Sequence, residues 1–162
     1  MWMARLYPTY EPNTCLLSNG LSTMAFALPG AIGAKLACPH QRVLAAVGDG
    51  AFLMHSQEIE TALREGIAMT VLVWVDDAYG LIKWKMDLEL GADMATDFGN
   101  PDFVAYAHSF GARGVRIGAA GELRPALEEA LAAETVTVIA CPVDYRENLR
   151  LTEKLGELSG PF

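Results

Sequence analysis

Hydrophobic residues along this chain fall into short dense runs, separated by stretches where apolar positions recur every three or four residues. Val43–Val47 and Met69–Val75 are aliphatic and β-branched, of a length that suits strands buried on both faces. Between them, Ser56–Arg64 carries Glu58 and Glu60 near its start and apolar Ile59, Ala62 and Leu63, with Gly66 available to stop a helix. This makes one strand–helix–strand unit. A second runs from Val115–Ile117 through a helix at Glu122–Ala133 to Val136–Cys141. Leu123, Leu127 and Leu131 share one face of that helix, and Pro125 fits its first turn. The alternation predicts the α/β class: a parallel sheet with helices on both faces. A further helix is expected over Leu28–Ala37, begun near Pro29 and ended before Pro39. Lys85–Pro101 mixes charges, glycine and methionines without steady periodicity, so a mobile loop or irregular helix is expected there, the kind of segment that often covers a ligand.

Composition narrows the class of protein. With 162 residues, 52% of them hydrophobic, the chain suits a single domain, residues 1–162, around one core. Its apolar runs are far shorter than the roughly 20 residues of a membrane-spanning helix. Pro8 and Glu11 arrive too early for a signal peptide, so a cytoplasmic location is expected. Cys15, Cys38 and Cys141 are odd in number, widely spaced and in apolar surroundings, which predicts buried free thiols rather than disulfides or a thiolate metal site. A formal charge of −8 with no basic stripe makes nucleic acid an unsuitable partner. Any bound phosphate must then be held by backbone N–H groups, helix N-termini or a metal ion.

Gly48-Asp49-Gly50-Ala51 directly follows the first strand, at the sheet edge where α/β proteins bind ligands. Glycines let the backbone approach a phosphate, the next helix offers free N–H groups, and Asp49 is a hard oxygen ligand suited to magnesium. A tight strand-to-helix turn capped by aspartate has the same pattern. The second strand also ends in acids, Val75-Asp76-Asp77-Ala78-Tyr79-Gly80, and Asp76 lies 27 residues beyond Asp49. Neighbouring parallel strands can bring both carboxylates to one cation, which removes their repulsion and lets an acidic protein hold an anion. Taken singly, Met24 reads as a flexible core filler, Ser22 as a helix cap, Trp74 as a core or interface aromatic, and His55 as a surface or capping residue at a helix start. His40 and His108 have no evident role.

Gly48-Asp49-Gly50, the 27-residue spacing and Asp76–Gly80 together resemble the thiamine-diphosphate motif of acetolactate synthases and related decarboxylases. The resemblance extends to Asn19–Met24, Leu28–Ala34, Gly80–Trp84, Phe110–Ala112 and Pro142–Tyr145, and the last of these, with Asn148, favours an acetolactate-synthase-like member. It implies a thiamine-diphosphate-binding fold, the C-terminal type of domain of a larger enzyme. It implies magnesium ligands at Asp49, Asp76 and the Ala78 carbonyl, and diphosphate contacts from Gly50, Ala51, Tyr79 and Gly80. The Ser22 carbonyl would receive the cofactor's 4′-amino group, Met24 would press beneath its bent rings, and Leu81 and Ile82 would line its apolar side. Asparagine often stands in the family where this chain has Asp76 or Asp77. The implied reaction is decarboxylation of pyruvate and its carboligation to a second 2-oxo acid, with another 2-oxo acid decarboxylase or acyltransferase, or a binding module inactive alone, as the alternatives. No catalytic residue is expected in this chain, because the family's activating glutamate belongs to a separate pyrimidine-binding domain, usually on a partner chain. A homo-oligomer is expected for the same reason, with the leucines of Asp144–Phe162 as possible anchors.

Overall fold

The computed structural model describes Met3 and residues 6–147, and its sheet has four parallel strands: β1 (Leu44–Gly48), β2 (Thr70–Val75), β3 (Arg113–Arg116) and β4 (Thr137–Pro142). Leu149, Leu151, Leu155, Leu158 and Asn148 lie outside the described residues. The spatial order is β1-β2-β4-β3. Both expected strand–helix–strand units are present, with strand ends shifted by one or two residues. Between the elements run α1 (Ala27–Ala37), α2 (Asp49–Leu53), α3 (Glu58–Arg64), α4 (Gly80–Leu90), α5 (Phe103–Ser109) and α6 (Leu123–Ala132).

The placement of the helices follows from handedness. From β1 the chain steps to β2, then past one place to β3, and α6 carries it back to insert β4 between them. Right-handed crossovers put helices on one face for outward steps and on the other for the return step. The core obeys this rule. Val71 and Val73 of β2 pack with Phe52, Ile59, Phe103 and Ala107 from the outward connections, whereas Leu72 and Trp74 pack with Ile139, Leu127 and Ala130 on the α6 side. The period-two alternation of a strand thus divides one apolar run between two half-cores. Phe52 is 1% exposed and meets Phe103 edge-on at 5.4 Å, which pins short α2 to α5.

Two expectations need correction. Lys85–Leu90 is regular helix, because α4 runs from Gly80 to a left-handed C-cap at Gly91, and only residues 91–102 form the irregular connection. α4 contributes no buried residue, so its apolar positions never gave the one-sided pattern that marks a surface helix. The thiols also differ from expectation. Cys141, in the central strand β4, is buried and its pKa is raised by that burial, but Cys38 is exposed at the end of α1 and Cys15 is half-buried.

Gly114 of β3 lies against the backbone of Val104 in α5, and a Cβ there would come within 2.8 Å of the Val104 Cα and carbonyl oxygen. Main-chain atoms in a packed helix cannot swing aside as a side chain can. Gly114→Ala is therefore expected to destabilise the domain by about 1–3 kcal/mol, read as a lower urea midpoint at unchanged slope. An unchanged midpoint would mean that β3 and α5 separate at little cost.

Candidate functional site

The C-terminal ends of β1, β2 and β4 open onto one edge of the sheet, as parallel pairing requires: Gly48 stands beside Trp74, and Trp74 beside Cys141. Asp49 follows Gly48 as the first residue of α2 and is 1% exposed. A lone carboxylate buried so deeply would be costly, and the backbone compensates. Its Oδ1 accepts from Gly50 N at 2.8 Å, and its Oδ2 accepts from Asp76 N at 3.1 Å, Asp77 N at 2.8 Å and Asn100 Nδ2 at 2.7 Å. With one donor on Oδ1 among the described residues, that oxygen keeps a lone pair for a further partner.

Asp76 reaches the same place from β2. Its carboxyl is pushed up to about 6, first by burial and then by the neighbouring Asp49 and Asp77 charges. Its side chain rests against Gly80, where any Cβ would displace the carboxylate. The acids therefore converge with no cationic side chain among the described residues to balance them. Tyr145, after β4, is pushed up to about 12 by burial and by Asp76 and Asp49, so its hydroxyl stays protonated beside them. The antiparallel bridge of Ala78 with Asp97 uses the Asp77 carbonyl, which accepts from Phe98 N, and Tyr79 N, which donates to the Thr96 carbonyl. This pattern leaves the Ala78 carbonyl outside the pairing.

A cleft of about 730 Å³ opens over these strand ends. Gly48, Asp49, Gly50 and Ala51 form one wall, and Asp76, Ala78, Tyr79, Gly80, Leu81 and Ile82 form another, so two distant motifs become one site. Tyr79 lies over Gly50 and its ring centroid is 4.9 Å from that of Phe98. Leu81 and Ile82 are 47% and 49% exposed, an apolar surface facing the opening. Met24 also lines the cleft, held between two left-handed residues, Ser22 at φ 49° and buried Ala25 at φ 69°. It is half-exposed rather than a core filler. Ser22 is exposed and lies off the cleft lining, in irregular backbone and not at a helix cap.

A family model described as thiamine pyrophosphate enzyme, C-terminal TPP binding domain, matches residues 1–141, and thiamine pyrophosphate is thiamine diphosphate by another name. The chain belongs to this family. It is 39% identical to the acetolactate synthase of Bacillus subtilis (strain 168), over 98% of this chain and 29% of that protein. It is 37% identical to the catabolic acetolactate synthase of Raoultella terrigena, over 96% of this chain and 28% of that protein. In fold it is similar to the Rhodococcus jostii RHA1 thiamine diphosphate-dependent 4-hydroxybenzoylformate decarboxylase, with a TM-score of 0.71 and 29% identity over 76% of this chain and 24% of that one. The chain thus spans less than a third of the length of these relatives.

In this thiamine-diphosphate-binding domain three features escaped sequence reading. Asn100 joins the acid cluster from the 91–102 connection, far along the chain from either motif. Its one local signal is the turn-forming run Gly99-Asn100-Pro101-Asp102 before α5. Tyr145 and Val143 reach the cleft because β4 sits in the middle of the sheet, which only the strand order reveals. Met3, Leu6, Tyr7 and Pro8 also line the cleft. His55 is exposed in the turn between α2 and α3, where its carbonyl accepts from Glu58 N, in keeping with a surface role.

Proposed function

We propose that the cleft holds thiamine diphosphate through a magnesium ion, and that the domain works within an acetolactate-synthase-like enzyme joining pyruvate to a second 2-oxo acid. The observation that carries the metal is the convergence of Asp49 and Asp76 without a counter-charge. Among the described residues no group of three or more His, Cys, Asp or Glu side chains could hold a metal. Two carboxylates suit magnesium, which takes one or two of them and completes its shell with phosphate oxygens, carbonyls and water. Asp49 Oδ1, the Asp76 carboxylate and the Ala78 carbonyl would supply the protein's share. The N–H groups at the start of α2 and α4, around Gly50, Ala51 and Gly80, would meet the diphosphate. Met24, Leu81 and Ile82 would enclose the apolar part, with Ser22 offering its carbonyl once the site is complete.

When bound, thiamine diphosphate supplies a carbon nucleophile and an electron sink. The work of this chain is to bind and orient it. The identities with acetolactate synthases support the carboligase reading, and the decarboxylase neighbour supports a second, release of an aldehyde from a 2-oxo acid. The exposed Leu81 and Ile82 support a partner domain or second copy over the cleft mouth.

Calorimetry tests the magnesium bridge. Thiamine diphosphate is expected to bind only with a divalent ion present, because Asp49 and Asp76 otherwise face a polyanion. Equal affinity in excess chelator would overturn the bridge.

A further inference from the structure

Asn100 reaches the acid cluster from outside both motifs. We propose that Asn100 is the positioning residue that sorts the three carboxylates, holding Asp49 in place and drawing Asp77 aside so that Asp49 and Asp76 face the cation. This rests on the cofactor reading.

The Asn100 amide spends its two N–H bonds on two acids: Nδ2 lies 2.7 Å from Asp49 Oδ2 and 2.7 Å from Asp77 Oδ1. The orientation is chemically forced, since a flipped amide would set its oxygen against two anions. Residue type matters equally. Lysine or arginine would bind both acids but bring positive charge into a cation site, an acid would add repulsion, and serine has a single donor. Asparagine joins the two while leaving their negative charge intact.

Asp77, although exposed, is held through both its backbone and its side chain by this arrangement. It adopts φ 57°, its N–H donates to Asp49 Oδ2, its carbonyl accepts from Phe98 N, and its side chain accepts from Asn100. The segment that delivers Asn100 is equally fixed. Before it, residues 96–98 pair with residues 77–79; after it, Pro101 restricts its backbone, Asp102 caps α5 by accepting from Val104 N and Ala105 N, and Phe103 is 2% exposed. Asn100 Oδ1 is buried with no hydrogen-bond partner among the described residues. An acceptor is left unpaired in such a place when the rest of the group is committed elsewhere.

The test measures magnesium-dependent thiamine-diphosphate affinity of the full chain by calorimetry, and amide hydrogen exchange of Asp76 and Asp77 in the cofactor-free chain. Asn100→Ala is expected to weaken binding about tenfold, within the range for residues that orient metal ligands, and to speed exchange of both amides, which donate to Asp49. Asp77→Gly and Asp77→Asn both tolerate a positive φ and differ in the acceptor they offer Asn100. With no carboxylate left to draw aside, the glycine variant should lose less affinity than Asn100→Ala, and the asparagine variant should stay within about twofold of the unaltered chain. The double variant Asn100→Ala/Asp77→Gly should be no weaker than the weaker single variant, within the roughly twofold error of additivity. Normal binding by Asn100→Ala with only a lower melting temperature, or losses that multiply in the double variant, would overturn the inference alone. Failure of the unaltered chain to bind would overturn the cofactor reading and this inference with it.

Discussion

Asp49→Ala is expected to abolish metal-dependent thiamine-diphosphate binding and to lower the melting temperature of the cofactor-free domain. The two effects share a cause. The carboxylate supplies a metal ligand and also accepts from Gly50 N, Asp76 N, Asp77 N and Asn100 Nδ2, so its removal strands donors on three separate segments. Each stranded buried donor costs about 1–3 kcal/mol, less where water reaches it. Against a typical total stability of about 5–15 kcal/mol, the variant should remain folded but weakened. A domain of this size loses about 2–4 °C of melting temperature per kcal/mol. Asp49→Asn preserves size but turns one acceptor into a donor facing N–H groups, so it too should lose binding. His55→Ala, in an exposed turn, should bind nearly normally. Calorimetry together with far-ultraviolet circular dichroism separates lost binding from lost fold. Retained binding in a folded Asp49→Ala chain, or loss in His55→Ala, would move the site elsewhere.

The purified chain, saturated with cofactor and magnesium, is expected not to convert pyruvate. The resemblance to acetolactate synthases implies a glutamate hydrogen-bonded to the cofactor's aminopyrimidine, and no glutamate lines the cleft among the described residues. Glu58 and Glu60 occupy the first turn of α3, where Glu60 pairs with Arg64 at 3.2 Å, and serve the helix rather than the cleft. Loss of a general acid–base group costs about 10²–10⁴ in rate, and an open cleft adds the penalty of incomplete desolvation. A pyruvate-consumption assay, with and without a pyrimidine-binding domain from a relative added in trans, checks this. The complemented reaction should yield acetolactate; an aldehyde would favour the decarboxylase reading. Near-normal turnover by the chain alone would require an acid within it that plays the glutamate's part.

Both wings of the site were legible in the sequence, because each is continuous in it and tied to a strand end. Gly48-Asp49-Gly50-Ala51 follows one buried apolar run and Asp76–Gly80 ends another, and a neighbouring parallel pair, as β1 and β2 prove to be, places such ends side by side. The helical course of Lys85–Leu90 was not legible, because a helix with no fully buried residue writes no strong burial pattern into its sequence. The exposure of Cys38 was hidden for a related reason: apolar neighbours in sequence do not place a residue inside when it follows a helix end.

The sequence by itself determined the α/β class and the two acid-bearing strand ends that the structure brings into one cleft, since local pattern and strand direction suffice for these. Only the tertiary structure decided which further residues meet those acids. The return of α6 inserts β4 beside β2 and brings Tyr145 to Asp76, and the pairing of residues 96–98 with 77–79 delivers Asn100 to Asp49 and Asp77. The two Asn100 contacts join residues 23 and 51 positions apart, and no local periodicity encodes where a loop or crossover lands.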